Sequence, residues 1–152
     1  MNFKPINSLL CFLGMILLIW GVFLFANSAL VISEQNNEIS TYTNEIRKER
    51  WKISNATTTL NDPDRAHAYY LIEQGFPDPT GDYQKLHDEY KNALTKINNA
   101  EDTIERNEAK IVTANQLIEK TMISMIQGFL FSIIGAGLSV FTISYLALNR
   151  ER

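Results

Sequence analysis

Few side chains in this 152-residue sequence could do chemistry, and the spacing of each argues against it. His67 has Asp64 nearby, and His87 is followed by Asp88 and Glu89. A zinc site needs three or four convergent ligands, and no His-x-x-x-His or paired-cysteine spacing occurs, so both histidines read as surface side chains. Asp78, Thr80, Asp82 and Glu89 fall at relative positions 1, 3, 5 and 12, which echoes a calcium loop. Such a loop requires glycine at its sixth position for the sharp turn, and Tyr83 stands there, with Gly81 too early. Cys11 is the single cysteine, so no disulfide can form within the chain. Leu10 precedes it where a lipid-attachment motif needs a small residue, and Cys11 reads as a small apolar filler. Asn55-Ala56-Thr57 matches a glycosylation acceptor, but it falls inside an expected helix and is discounted. There is no glycine-rich phosphate loop and no nucleophile elbow, and a serine without a nearby base is no nucleophile. The expectation is a non-enzyme with no metal and no cofactor.

The elements that carry these residues are set by a sharp partition of charge. Residues 9–32 contain no charged side chain, nor do residues 121–149. Between them, over 33–121, 16 Asp/Glu outnumber 11 Lys/Arg by five. An acidic middle argues against nucleic acid as a partner. A helix needs about 20 apolar residues to cross a bilayer, and 9–32 and 122–148 both satisfy this. The first run also resembles a signal peptide, with Lys4 ahead of it and a small-x-small pattern at Ala26-Asn27-Ser28, but signal cores are about 7–15 residues long. Retention of the first span is expected. Lys4, Arg150 and Arg152 flank the spans on the tail side, whereas Glu34, Glu38 and Glu45 follow the first span with no early Lys or Arg. The positive-inside tendency then places the tails, 1–8 and 149–152, in the cytoplasm and 33–121 outside, in a plasma membrane of bacterial inner-membrane type.

Periodicity joins these segments. Ile32, Ile39, Ile46, Ile53 and Leu60 recur every seven residues, as do Ile97, Ile104, Ile111 and Ile118 behind Tyr83 and Tyr90. With these as heptad a positions, the d positions are Gln35, Tyr42, Glu49 and Ala56 in one segment and Leu86, Ala93, Ala100, Asn107 and Ala114 in the other. Large a and small d residues make a close-packed helical seam. The same frame enters the spans at Gly14, Gly21 and Ser28, and at Gly128, Ser132, Gly135, Ser139 and Thr142. Small residues are how helices associate in lipid. Two long antiparallel helices are expected, about 5–60 and 82–149. Asn107 would act as a register device. Glu49 needs a partner, or marks a place where the seam opens. Arg47, Lys48, Arg50 and Lys52 alternate with Glu45 and Glu49 and read as a solvated, ion-paired face.

Residues 61–82 break the pattern. Asp62 before Pro63 starts a helix, and Gly75 before Pro77 stops one, so a short helix over 63–74 should cap the hairpin. Tyr69, Tyr70, Phe76 and Tyr83 gather there, either to plug the end or to meet a partner. The fold class is thus an all-α membrane protein: two spans continuing into an antiparallel extramembrane hairpin with a short tip helix.

The expected tails leave no room for an output domain, and the spans lack the ionisable groups of ion pathways. A lone hairpin buries little surface for its length, so association is expected, either as a homo-oligomer or with a larger integral membrane complex, with lipid around the spans. The leading reading is a non-catalytic accessory or assembly subunit. A ligand sensor working through a partner membrane protein is the second. The third is a membrane-permeabilising oligomer built on Gly128, Ser132, Gly135 and Ser139.

Overall fold

The computed structural model describes residues 4–148, with side chains from residue 8 onward. The tail residues 1–3 and 149–152, with Arg150 and Arg152 among them, lie outside the described residues. Three helices and no strand occur among those described: α1 (Lys4–Leu60), α2 (Pro63–Glu73) and α3 (Asp82–Leu148). The helices α1 and α3 are each long and apolar enough to cross a membrane.

The breaks between helices follow local chemistry. Asp62 holds an extended backbone (φ −75°, ψ 118°), and its carboxylate accepts from the N–H groups of Asp64 (3.0 Å) and Arg65 (3.3 Å). Those donors have no partner inside the helix, and Pro63 has no N–H to leave unpaired. At the other end of α2, the Gly75 N–H donates to the Ile72 carbonyl (2.9 Å) and the Phe76 N–H to that of Leu71 (3.0 Å). This double closure requires a left-handed residue, and Gly75 supplies it at φ 78°. The helix α3 begins after Gly81, which also has positive φ and no side chain with which to cap. Asp78 caps from upstream instead, accepting from the N–H groups of Gly81 (3.0 Å) and Gln84 (2.7 Å).

Two compact units result. One comprises α1 as far as Asn37 and α3 from Ala114 onward; the other is Glu38–Thr113. In the first, Gly14 lies against Gly135 and Ser139, and Gly21 against Gly128 and Ser132, so its two segments run antiparallel. Its large side chains point outward: Ile19 is 68% exposed and Phe141 67%. Only 11% of either apolar window is buried, the inverse of a core helix in a water-soluble protein. In the second unit the core is narrow. It consists of Ile46, Ala56, Ala68, Ala93 and Ala100, with His87 and Asn107 as buried polar members.

Candidate functional site

The small-residue positions of the first unit are a contact surface of unusual closeness. A Cβ placed on Gly21 would stand 2.5 Å from the Gly128 carbonyl and 2.5 Å from the Ser132 nitrogen, and one on Gly135 would stand 2.5 Å from the Gly14 carbonyl. Backbone meets backbone, which only glycine permits. The hydroxyls of Ser132, Ser139 and Thr142 donate to carbonyls one turn back, those of Gly128, Gly135 and Leu138, at 2.7–2.9 Å. They therefore need no water and place no unpaired donor in an apolar setting. Ser28 and Thr142 are buried. Gly128, Ser132, Gly135 and Ser139 are thus covered by α1 of the same chain. Cys11 is half-buried on the same unit. A recess of about 570 Å³ adjoins the ends of both charge-free runs, lined by Ile32, Ser33 and Asn36 of α1 and by Met122, Met125 and Ile126 of α3.

In the second unit, Ile46 is buried, whereas Ile39, Ile53, Ile97, Ile104 and Ile111 are only half-buried; Ile118, in the first unit, is half-buried as well. Asn107 is buried and donates from its amide to Glu45 (2.9 Å). Glu49 takes Lys52 as its partner at 2.7 Å. Arg50 reaches Glu108 at 3.5 Å with both side chains more than half exposed, a pair of little energetic weight. Lys110 sits 4.9 Å above the Tyr42 ring.

Around α2 the structure corrects one expectation and divides another. His87 is no surface histidine: it is 5% exposed. Its Nε2 lies 3.0 Å from Glu73 on α2 and its Nδ1 3.2 Å from Asp88, while the Tyr69 ring stacks on it at 5.2 Å between centroids and 8° between planes. Tyr69 also meets Tyr90 at 4.7 Å. The hydrogen bond to Glu73 raises the pKa of His87 above the ordinary value against the opposing pull of desolvation, and Asp88 adds to the rise. Beside this, Arg65 binds Glu89 (2.8 Å) and also pairs with Asp62, tying α2 to α3. The heptad frame does contain a signal for His87, which occupies an e position flanking the seam next to Tyr90, but its partner Glu73 is 14 residues away and not legible as such. Of the four aromatic candidates, Tyr69 packs inward, while Tyr70 (60%), Phe76 (56%) and Tyr83 (42%) stay exposed.

The calcium-like spacing also has an account. The two carboxylate oxygens of Asp78 are committed to the N–H groups of Gly81, just before α3, and Gln84, in its first turn, and Glu89 is committed to Arg65. Desolvation pushes the Asp78 carboxyl up, but the N–H groups of Gln84 and Gly81 outweigh it, and the group stays below the usual carboxylate range. Among the described residues no three His, Cys, Asp or Glu side chains converge to hold a metal.

One feature escaped the periodicity altogether. A groove of about 820 Å³ runs along one flank of the charged unit, floored by Ala56, Ala93 and Ala100 and walled by polar side chains from both long helices. The d-position alanines signal close packing, yet they also leave the flank above them low.

The chain matches no protein-family description, no curated protein and no solved structure.

Proposed function

We propose that this chain is a two-pass integral membrane protein acting as a non-catalytic accessory or assembly subunit of a larger membrane complex. Residues 9–32 and 122–148 are the spans, both tails are cytoplasmic, and 33–121 form an extracytoplasmic antiparallel hairpin with α2 at its tip. Lipid surrounds the outward apolar faces. The observation that carries the association reading is incomplete burial outside the spans. Apart from Ile46, two helices leave the a-position isoleucines half covered, and Tyr70, Phe76 and Tyr83 remain exposed near α2. Aromatic side chains are enriched in interface cores.

The test is extraction from native cells in a mild detergent, followed by particle mass and subunit identification. Other membrane proteins in fixed ratio are expected, and deleting residues 63–80 should weaken that association. A particle containing this chain alone would sink the accessory reading. A sensor coupled to a partner membrane protein is the second reading, favoured by the polar groove of the charged unit; Tyr70→Ala and groove substitutions should then change a response. A permeabilising oligomer would need Gly128, Ser132, Gly135 and Ser139 for contacts between chains, and those residues are already used within one.

A further inference from the structure

The groove in the charged unit has a lining that stability alone does not call for. Asn55, Asn92 and Asn99 stand on its walls at solvent-side helical positions. Gln, Lys or Glu would serve the helix better there, because asparagine competes with the backbone for hydrogen bonds. Each amide offers two donors and an acceptor oxygen. Asn92 and Asn99 lie one heptad apart on the same wall, on the order of 10 Å along the axis. Trp51 lines the same groove and is 68% exposed, presenting an aromatic face and an indole N–H without cover.

The charges point to one sign of ligand. Three cations and two carboxylates line the groove. Lys52 is taken by Glu49 and Arg65 by Glu89. Lys96 has no ionic partner among the described residues and is the one net charge left facing the groove. The flat alanine floor offers no deep apolar pocket of the kind that anchors a peptide side chain. One unpaired cation is too few for nucleic acid, whose binding neutralises several phosphates at once.

We infer that this groove binds a short acidic oligosaccharide. One sugar ring stacks on Trp51, the amides of Asn55, Asn92 and Asn99 bond ring hydroxyls, and Lys96 pairs with a sugar carboxylate. Flat, hydroxyl-rich rings with weakly positive C–H faces suit an aromatic face, and amides suit hydroxyls that both give and accept. The inference does not depend on which proteins the chain assembles with. Binding is measured on the purified full chain, whereas the accessory reading is tested by co-purification.

The experiment uses the full chain carrying Trp20→Phe, so that Trp51 is the only tryptophan. It is held in a detergent whose headgroup is not a sugar and titrated with trigalacturonic acid and, separately, with neutral maltotriose. Saturable change in Trp51 emission is expected with the acid, at least about tenfold tighter than with the neutral sugar. Lys96→Gln should remove that preference while leaving the neutral sugar's weak binding. Asn92→Ala combined with Asn99→Ala should abolish both responses at unchanged helicity. Absence of saturable change up to about 10 mM of either sugar overturns the site. Equal binding of the two sugars overturns the role given to Lys96 and the acidic class with it.

Discussion

In the unit that holds the two charge-free runs, the inward positions are glycine and serine; in the charged unit, the equivalent positions are mostly alanine, faced by isoleucine. The two fillings suit two different solvents. Where the surroundings are as apolar as the side chains, burying a leucine gains nothing, and contact comes from backbones close enough for dispersion. In water, each buried isoleucine is stabilising by itself, and alanine at d only sets the spacing. The same seven-residue frame is therefore filled by two rules, and the small-residue rule is the one that helices follow in lipid.

The sharpest way to break this comparison is Gly21→Leu. Two of the three nearest atoms to its Cβ, the Gly128 carbonyl oxygen and the Ser132 nitrogen, are backbone and cannot rotate away, so a cost at or above the usual overpacking ceiling of about 3 kcal/mol is expected. The pairing of Gly14 with Ser139 and of Gly21 with Ser132 places native Cys11 opposite Thr142. Thr142→Cys should thus form an intrachain disulfide under mild oxidant, and adding Gly21→Leu should remove it. Unchanged crosslinking would mean that the close approach is absent.

Ala100→Leu asks the same question of the charged unit. Here the groove flank offers room to shift, and a smaller loss of about 1–3 kcal/mol is expected, read as a lowered thermal midpoint of helicity. A loss larger than that of Gly21→Leu would reverse the comparison.

The smallest expected effect concerns pH. Glu73 and Tyr69 face His87 from α2, with Asp88 from its own helix. Its folded pKa lies above the ordinary 6.5, so the stabilisation is full below about 6.5 and fades as pH rises through the folded value. The protection of α2 amides from hydrogen exchange, corrected for the intrinsic rate, should fall over that range. His87→Gln should flatten the profile, and a pH-independent wild type would mean that the His87–Glu73 contact does not hold α2.

Much of this was legible because periodicity is a local property. A repeat of seven in Ile39, Ile46 and Ile53, or in Ile97, Ile104 and Ile111, needs only the chain's own order to be read, and the same holds for the Asp62-Pro63 start and the Gly75 stop of α2. The calcium echo, set aside on Tyr83, arises for a local reason as well, since Asp78 and Thr80 are spaced for capping a helix as readily as for ligating a cation.

The sequence alone determined which stretches are helical, which of them can cross a membrane and which face of each is turned inward, because hydrophobic spacing and cap chemistry act over a few residues. Only the tertiary structure decided that His87 is buried against Glu73, that Asn107 answers Glu45, that Trp51 stands beside three asparagines, and that Gly21 meets the Gly128 backbone. Those pairings join residues many turns apart, and their partners are chosen by the antiparallel register, which no single stretch of sequence contains.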